Sequence, residues 1–269
     1  MKRLLTIQDI SCVGQCSTTV ALPLVSACGV ECAVLPPAIL SNHTGFRTWS
    51  FADLTPELAK VEAKWVEQGV KFDAFYTGYV CESHIEPILS VMKTCANPGA
   101  VRFVDPAMAD NGRLYAGFAA DFPAKMARLV KGADYVLPNL TEAAFLVGEE
   151  PKMKLAEAEV EVLLAKLHAL GAKNVVLTGV SFRPDELGSA ISDGRSVVYD
   201  FNPRLARSSH GTGDVFASVF AGAVMRGKSA ADAAALAADI VCAAIAATDP
   251  DHTYGVSFEK TIPALAARF

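Results

Sequence analysis

Short apolar blocks and longer mixed blocks alternate along the whole chain. The apolar blocks are mostly continuous runs, which is typical of strands that are buried on both faces of a parallel sheet. The predicted strands are residues 3–7, 32–35, 72–76, 101–104, 135–137 and 174–177. Residues 189–192 and 196–199 flank Asp193-Gly194, which predicts a hairpin with a tight turn.

The mixed blocks between the strands have the spacing and the end signals of helices. Gly29 and Gly171 each close one of them, and Thr55 is predicted to be an N-cap. The predicted helices are 18–28, 56–68, 82–95, 118–130, 155–170, 230–247 and 257–267, with two more that end at 147 and at 225. This alternation predicts an α/β fold with a mostly parallel central sheet, in a single domain that covers residues 1–269.

Composition and charge narrow the classes of partner. Of the 269 residues, 52% are apolar and 20% are charged, which is a globular composition, and the net charge of −5 argues against nucleic acid or an anionic membrane surface. No apolar run is expected to span a bilayer, and the N-terminus meets polar residues too early for a signal peptide. We therefore expect a cytoplasmic protein. The odd number of cysteines, seven, predicts reduced, mostly buried thiols rather than a metal site.

Polar segments follow the predicted strands and should share one edge of the sheet, where ligands of such sheets bind. Each residue alone could be an ordinary loop or capping group, and the candidate site depends on their clustering. The segments are Asp9, residues 42–45, Gly78-Tyr79, Asp105, residues 139–142 and Thr178.

Gly211-Thr212-Gly213-Asp214 stands directly before a helix of small residues. Glycines allow a tight turn, and the first amides of a helix have no intrahelical acceptor, so this segment predicts an anion cradle. A carboxylate beside such a cradle suits a base that takes the proton of an attacking hydroxyl, and we expect the helix dipole to keep the pKa of Asp214 low. The alternative is an ordinary acid in a first helical turn.

Phosphoryl transfer also needs a cation, and oxygen ligands for Mg²⁺ are available in Asp105, Asn139 and Glu142. The alternative for Asn139 and Glu142 is a capped helix N-terminus. The chain has neither a P-loop sequence nor G-x-G-x-x-G after its first strand, which argues against P-loop enzymes and dinucleotide oxidoreductases.

Two motifs resemble those of a known family. Gly211-Thr212-Gly213-Asp214 is similar to the anion-hole motif of the ribokinase superfamily, and Ser41-Asn42-His43-Thr44-Gly45 is similar to the substrate loop of the pyridoxal (vitamin B6) kinases. The order of the other segments agrees from about residue 4 to residue 247. The resemblance implies a ribokinase-like three-layer α/β/α sandwich and an ATP-dependent kinase that phosphorylates the 5′-hydroxymethyl group of pyridoxal, pyridoxine or pyridoxamine.

The resemblance also implies roles for individual residues. Asp214 matches the catalytic base, and Gly211, Thr212 and Gly213 match the anion hole. The positions around ATP and Mg²⁺ match Asp105, Asn139, Glu142 and Thr178, and of these Asp105 and Glu142 would bind the metal. The pyridine pocket would include Asp9, His43, Thr44, Gly45 and Tyr79, with His43 either lining the pocket or bracing its loop. K⁺ is a further ion that this superfamily commonly uses, and the vitamin-kinase branch predicts a homodimer.

One departure from the family stands in the predicted pocket. The family usually has Ser where this chain has Asp9, and a carboxylate there would prefer a protonated ring nitrogen or an amine. Two alternatives remain: a hydroxymethylpyrimidine (phosphate) kinase, although that branch usually carries Cys in place of Asp214, and a protein that binds a vitamer without turnover. Arg183, Arg204 and Arg207 could contact phosphates or be merely solvated.

Overall fold

The computed structural model describes residues 1–205 and 209–269. Arg207, one of the predicted phosphate contacts, lies outside the described residues. The chain forms two compact units, Met1–Val101 with Leu205–Phe269, and Arg102–Arg204. The single-domain prediction stays a prediction, and we describe each unit by itself.

Thirteen strands are present in the described residues. They are β1 (Arg3–Ile7), β2 (Ile10–Ser11), β3 (Glu31–Val34), β4 (Ala38–Leu40), β5 (Phe51–Asp53), β6 (Phe72–Thr77), β7 (Ala96–Val104), β8 (Ala109–Asp110), β9 (Arg113–Leu114), β10 (Tyr135–Val136), β11 (Asn174–Val180), β12 (Glu186–Ser192) and β13 (Val197–Pro203). The large sheet has the strand order β13-β12-β11-β10-β7-β6-β1-β3. Its mostly parallel pairing confirms the predicted α/β class.

The helices of the described residues follow the predicted alternation. They are α1 (Thr18–Ala27), α2 (Thr55–Glu67), α3 (Glu82–Thr94), α4 (Phe122–Val130), α5 (Leu140–Leu146), α6 (Glu157–Ala169), α7 (Thr212–Met225), α8 (Ala230–Ala247) and α9 (Ile262–Ala266), with a 3₁₀ helix at Phe258–Thr261.

In the first unit, β1 is the central strand, and it pairs in parallel with β3 and β6. Its side chains Leu4, Leu5 and Ile7 are fully buried, as a continuous apolar run predicts. Helix α7 packs against α1 and α8. The contact with α1 is close at Gly222, where a Cβ would lie 2.6 Å from the Cys28 sulfur.

The same unit contains a small sheet that the hydrophobic pattern did not predict. Strand β2 pairs in parallel with β4, and β4 pairs antiparallel with β5. These strands have two or three residues each, and all of β5 is exposed. Strands this short and exposed leave no recognisable period in the sequence.

In the second unit, β10 pairs in parallel with β7 and β11, and β12 and β13 continue the sheet antiparallel. The predicted hairpin at Asp193-Gly194 is therefore confirmed. It is longer than predicted, since β12 and β13 have seven residues each.

Several element boundaries differ from the prediction. Thr55 is not an N-cap: Leu54 holds that position, and the Thr55 amide donates to Asp53 Oδ1 at 2.9 Å. Helix α4 begins at Phe122 rather than 118, and the predicted C-terminal helix is divided into the 3₁₀ helix and α9. Strand β7 begins at Ala96, five residues earlier than predicted, through a stretch that contains Pro98 and Gly99.

Helix α8 corrects one expectation from composition. Its 18 residues have a mean hydropathy of 1.8, so by length and composition it is the one described helix that could cross a membrane. It is alanine-rich, and one of its faces packs on α7. Packed core helices have the same composition, so this single helix is weak evidence for a membrane span.

Candidate functional site

The N-terminus of α7 has the backbone geometry of an anion cradle. Gly211 caps the helix in the left-handed region, with φ 81°. A Cβ on this residue would collide with the Gln15 carbonyl oxygen, so the position requires glycine for two independent reasons. The first turn of α7 presents amides that have no acceptor inside the helix. This arrangement can hold phosphate oxygens at Thr212 and Gly213.

Asp214 lies in this first turn and accepts a hydrogen bond from the backbone N–H of Ser17. The pKa of its carboxyl is raised to about 7, mainly by burial and also by the negative charge of Asp9, while the Ser17 N–H acts in the opposite direction. The prediction of a low pKa is wrong, because the cost of desolvating the carboxylate exceeds the stabilisation from nearby N–H dipoles. At neutral pH, Asp214 is therefore a stronger base than an exposed aspartate.

Asp9 lies at the carboxyl end of β1 and is only 2% exposed. Its Oδ2 accepts a hydrogen bond of 2.9 Å from the Ser11 hydroxyl, and Ser17 is a second donor. Burial raises the pKa of Asp9, while these two serines lower it. Ser11 and Ser17 thus hold the Asp9 carboxylate in place, and Ser17 also holds that of Asp214.

Sequence reasoning missed Ser17, which contacts both acids. It has a positive φ of 52°, which is rare outside glycine and places its N–H against Asp214. The only sequence signal is its place directly before α1, and a capping residue is the ordinary interpretation of that place.

His43 braces the predicted substrate loop. The Gly45 amide donates to His43 Nδ1 at 3.1 Å, which assigns the proton to Nε2, and Nε2 donates to the Tyr254 carbonyl at 3.1 Å. Its ring contacts those of Phe46 and His210. Burial lowers the pKa of His43, so the ring is neutral at physiological pH. Both nitrogens have protein partners, which favours bracing over direct contact with a substrate.

The other predicted pocket residues lie in the same unit. Thr44 is half-buried and Gly45 is exposed, in the loop that His43 holds. Tyr79 is half-buried, and burial together with the charges of Cys81 and Asp9 raises the pKa of its phenol. The preceding residue, Gly78, lies so close to Gln8 that a Cβ would collide with Gln8 Oε1. Because Gln8 directly follows β1, Tyr79 lies near the end of that strand.

In the second unit, Asn139 and Glu142 form a reciprocal capping box at the start of α5. The Glu142 amide donates to Asn139 Oδ1 at 2.9 Å, and the Asn139 amide donates to Glu142 Oε2 at 2.9 Å. Glu142 Oε1 also accepts from the amide of Met108 at 3.1 Å. The pKa of Glu142 is raised to about 8, mainly by burial and also by the Asp110 charge, while the backbone N–H donors act in the opposite direction. These contacts fix the start of α5, as the alternative of a capped helix predicts. That Glu142 also binds a metal stays a prediction.

The remaining predicted nucleotide residues follow neighbouring strands of this unit. Asp105 is buried directly after β7. Thr178 lies in β11, bridges to Asn139, and donates from its amide to the Pro138 carbonyl at 2.9 Å. Across residues 1–205 and 209–269, no group of three or more His, Cys, Asp or Glu side chains could hold a metal ion. A magnesium site here would thus depend on two carboxylates with water and phosphate oxygens.

Arg183 is engaged within the protein rather than merely solvated. Its Nε donates to Glu186 Oε2 at 2.8 Å, and a second guanidinium nitrogen lies 2.6 Å from the same oxygen. Glu186 is buried and also accepts from the Arg183 amide at 3.1 Å. Arg204 is exposed.

Comparison with known proteins identifies the family. The family model described as phosphomethylpyrimidine kinase matches residues 24–257. Pyridoxal kinase PdxY of Rubrobacter xylanophilus is 30% identical over 263 residues, which are 91% of this chain and 87% of that protein. The curated relative and the family model thus agree on a vitamin-type kinase over most of the chain.

Solved structures give the same result. Pyridoxal kinase from Lactobacillus plantarum is 34% identical, with a TM-score of 0.91 over 100% of this chain and 98% of that one. A Bacteroides thetaiotaomicron protein crystallised with pyridoxal is 33% identical, with a TM-score of 0.92 over 98% and 95%. Pyridoxal kinase from Staphylococcus aureus, in complex with AMP-PCP and pyridoxal, is 22% identical, with a TM-score of 0.79 over 95% and 92%, and that likeness concerns the fold.

Proposed function

Since the chain belongs to the phosphomethylpyrimidine kinase family, we propose that it is an ATP-dependent kinase that phosphorylates the 5′-hydroxymethyl group of a B6 vitamer. The observation that carries this proposal is Asp214: a carboxylate with a pKa of about 7 in the first turn of α7, next to helix amides that can receive phosphate. Relatives named as pyridoxal kinases, at 30% and 34% identity over most of the chain, support the substrate class.

The chemistry needs one base and one anion cradle in the first unit. Asp214 accepts the proton of the vitamer hydroxyl as its oxygen forms a bond to the γ-phosphorus, and the bond from that phosphorus to the bridging oxygen of ADP breaks. The transition state is loose, so positioning and charge stabilisation contribute most of the rate. The amides at Thr212 and Gly213 stabilise the equatorial oxygens of the migrating group.

ATP and its cation are assigned to the second unit. We propose that the nucleotide is bound by Asp105, Asn139, Glu142 and Thr178, and that Asp105 and Glu142 are the residues nearest Mg²⁺. K⁺ is proposed as a further ion, with no residues assigned to it. Asp105 supplies a carboxylate, an oxygen donor that Mg²⁺ prefers, so its side chain fits this ion. Bound Mg²⁺ would neutralise charge on the phosphates. Glu142 would act mainly by fixing Asn139 and the Met108 backbone, because its carboxylate already accepts their amides.

We also propose a cytoplasmic homodimer. All seven cysteines are free thiols, which suits a reducing compartment. Three large apolar side chains within one short segment, Ile39, Trp49 and Phe51, are exposed by 38%, 38% and 44%, and a second copy of the chain could cover them.

The test of the proposed function is ATP consumption with pyridoxal, pyridoxine, pyridoxamine, hydroxymethylpyrimidine and ribose as acceptors. We expect turnover with B6 vitamers. Asp214→Ala should keep nucleotide binding and lose about 10²-fold or more in kcat, the usual contribution of a general base. Asp239→Asn, an exposed aspartate of α8, is the matched control. Normal turnover by Asp214→Ala would refute the role of this residue.

The second candidate is a hydroxymethylpyrimidine (phosphate) kinase, which the description of the family model favours. It also phosphorylates a hydroxymethyl group on a nitrogen heterocycle. That branch usually carries Cys in place of Asp214, which counts against it here. The same acceptor panel decides, because preferential turnover of hydroxymethylpyrimidine would replace the proposal.

A further inference from the structure

Four titratable groups of the first unit influence one another, and all of them hold their protons unusually tightly. Asp9 and Cys16 have raised pKa values, as do Tyr79 and Asp214. Burial is the largest cause in each case. The Asp9 charge contributes at the other three, and the Asp214 charge contributes at Cys16. Burial penalises any unpaired charge in this part of the molecule, whereas a cation beside Asp9 and Asp214 would be paired with their carboxylates.

The protein itself does not supply that cation within the described residues. In residues 1–205 and 209–269, no Lys, Arg or His side chain forms an ion pair or hydrogen bond with Asp9 or Asp214. The partners of Asp9 are the uncharged serines 11 and 17. These donors orient the carboxylate, but they do not neutralise it, and a buried charge without a counter-charge is costly.

Resting on the proposed function, we propose that Asp9 determines vitamer specificity by binding the ammonium group of a 4-aminomethyl substituent, so that pyridoxamine is the preferred substrate. The Asp9 carboxyl can supply the opposite charge, is 2% exposed, and is held by the Ser11 hydroxyl at 2.9 Å. A charge-assisted hydrogen bond of this kind contributes about twice as much as a neutral one.

The chemistry of the ring favours the ammonium over the ring nitrogen. Asp214 receives the proton of the 5-hydroxymethyl group. Neighbouring amides connect the two acids, because the Ser17 amide donates to the Asp214 carboxylate and the Thr18 amide donates to the Asp9 carbonyl oxygen at 3.2 Å. The 4-substituent is attached to the adjacent ring carbon, whereas the ring nitrogen lies beyond the next carbon on the other side. A ligand cation that meets both carboxylates is therefore the 4-aminomethyl ammonium. All vitamers share the ring nitrogen, so recognition of that atom would not distinguish them.

Asp9→Asn and Asp9→Ser test this assignment with the full chain. We expect kcat/KM for pyridoxamine to fall about 10-fold or more relative to kcat/KM for pyridoxine, since a hydrogen bond to a charged group contributes about 1.5–3 kcal/mol. Asp239→Asn should leave the ratio unchanged. An equal fall for all three vitamers would assign Asp9 to the ring nitrogen and overturn the proposal, and so would an unchanged ratio.

Proton release gives a readout that does not need turnover. A bound ammonium lowers the raised pKa values of Asp9 and Asp214, so titration of the wild-type protein with pyridoxamine near pH 6.5 should release protons. Calorimetry in two buffers of different ionisation enthalpy measures this release. Asp9→Asn should reduce it, and pyridoxine should cause less. Equal release with both vitamers would contradict the proposal.

Failure of this inference is distinguishable from failure of the proposed function. If the wild-type protein phosphorylates no vitamer, the proposed function is wrong. If it phosphorylates vitamers while Asp9→Asn keeps the wild-type ratio, only the role of Asp9 is wrong. Folding is checked by thermal melting. Asp9→Asn should melt at or above the wild-type temperature, because it removes a buried charge.

Discussion

At the scale of single residues, Asp214 shows how burial overrides local signals. The sequence places it at a helix N-terminus, where a carboxylate is stabilised, yet burial raises its pKa to about 7. We therefore expect kcat/KM with pyridoxine to fall tenfold per pH unit below about 7, because the protonated acid cannot accept the hydroxyl proton. The midpoint should move to lower pH in Asp9→Asn, which lacks one negative charge. A midpoint near pH 4 in the wild-type protein would contradict the assignment.

The same pKa predicts a cost in stability. The native carboxyl of Asp214 holds its proton more tightly than the unfolded one, so the folded state is penalised as pH rises from about 4 to about 7. Asp214→Asn should therefore raise the Tm, by about 2 °C or more at pH 8 and by less at pH 5. Differential scanning fluorimetry at both pH values measures this difference, with Asp239→Asn as the control. An equal or lower Tm of Asp214→Asn at pH 8 would show that the site does not destabilise the apo protein.

Two local features could be predicted from residue type and spacing. Gly211 is the glycine that the turn before α7 requires, and Asn139 with Glu142 has the spacing of a capping box. The functional roles assigned to these residues stay predictions. The contacts of Ser11 and Ser17 could not be predicted. Ser11 binds Asp9 through the folded loop, and Ser17 depends on its positive φ and on contact with Asp214, about 200 positions away. The error in the pKa of Asp214 has the same cause, since desolvation is a property of the folded environment.

At the scale of elements, the start of α7 offers a matched pair of glycines. Gly211→Ala should lower the Tm by several degrees, because a left-handed φ costs about 1–2 kcal/mol for a non-glycine residue and the new Cβ would collide with the Gln15 carbonyl. A Cβ at Gly213 would have no neighbour within 4 Å, so Gly213→Ala should keep or raise the Tm. Turnover should still fall in Gly213→Ala, since the methyl group would stand where phosphate binds. Full activity of Gly213→Ala would argue against the cradle.

Elements were predictable in proportion to their length and burial. Strands β1 and β6 are mostly apolar and buried, and they were predicted as members of a mostly parallel sheet from such runs and from the alternation of strands with helices. The small sheet of β2, β4 and β5 was missed, because its register depends on partners that are distant in sequence rather than on a local period.

At the scale of the whole molecule, the candidate residues divide between the two units in a way that sequence order alone does not reveal. The predicted base, the anion cradle and the pyridine pocket belong to the unit of Met1–Val101 and Leu205–Phe269. The residues assigned to ATP and Mg²⁺ belong to Arg102–Arg204. One unit would therefore recognise the vitamer and the other the nucleotide.

Exposed apolar side chains of the first unit favour association of two chains. Ile39, Trp49 and Phe51 are all exposed in the first unit, and Phe51 begins β5, which is exposed throughout. Burial of such side chains is favourable by about 25 cal/mol per Å² of apolar surface, so we expect the wild-type protein to form a dimer of twice 28.4 kDa. Phe51→Glu should dissociate it, because a charge would then enter the interface. Light scattering after size exclusion measures the mass, and Val198→Glu, 48% exposed in the other unit, is the control. A dimer that survives Phe51→Glu and is lost in Val198→Glu would place the interface on β13 instead.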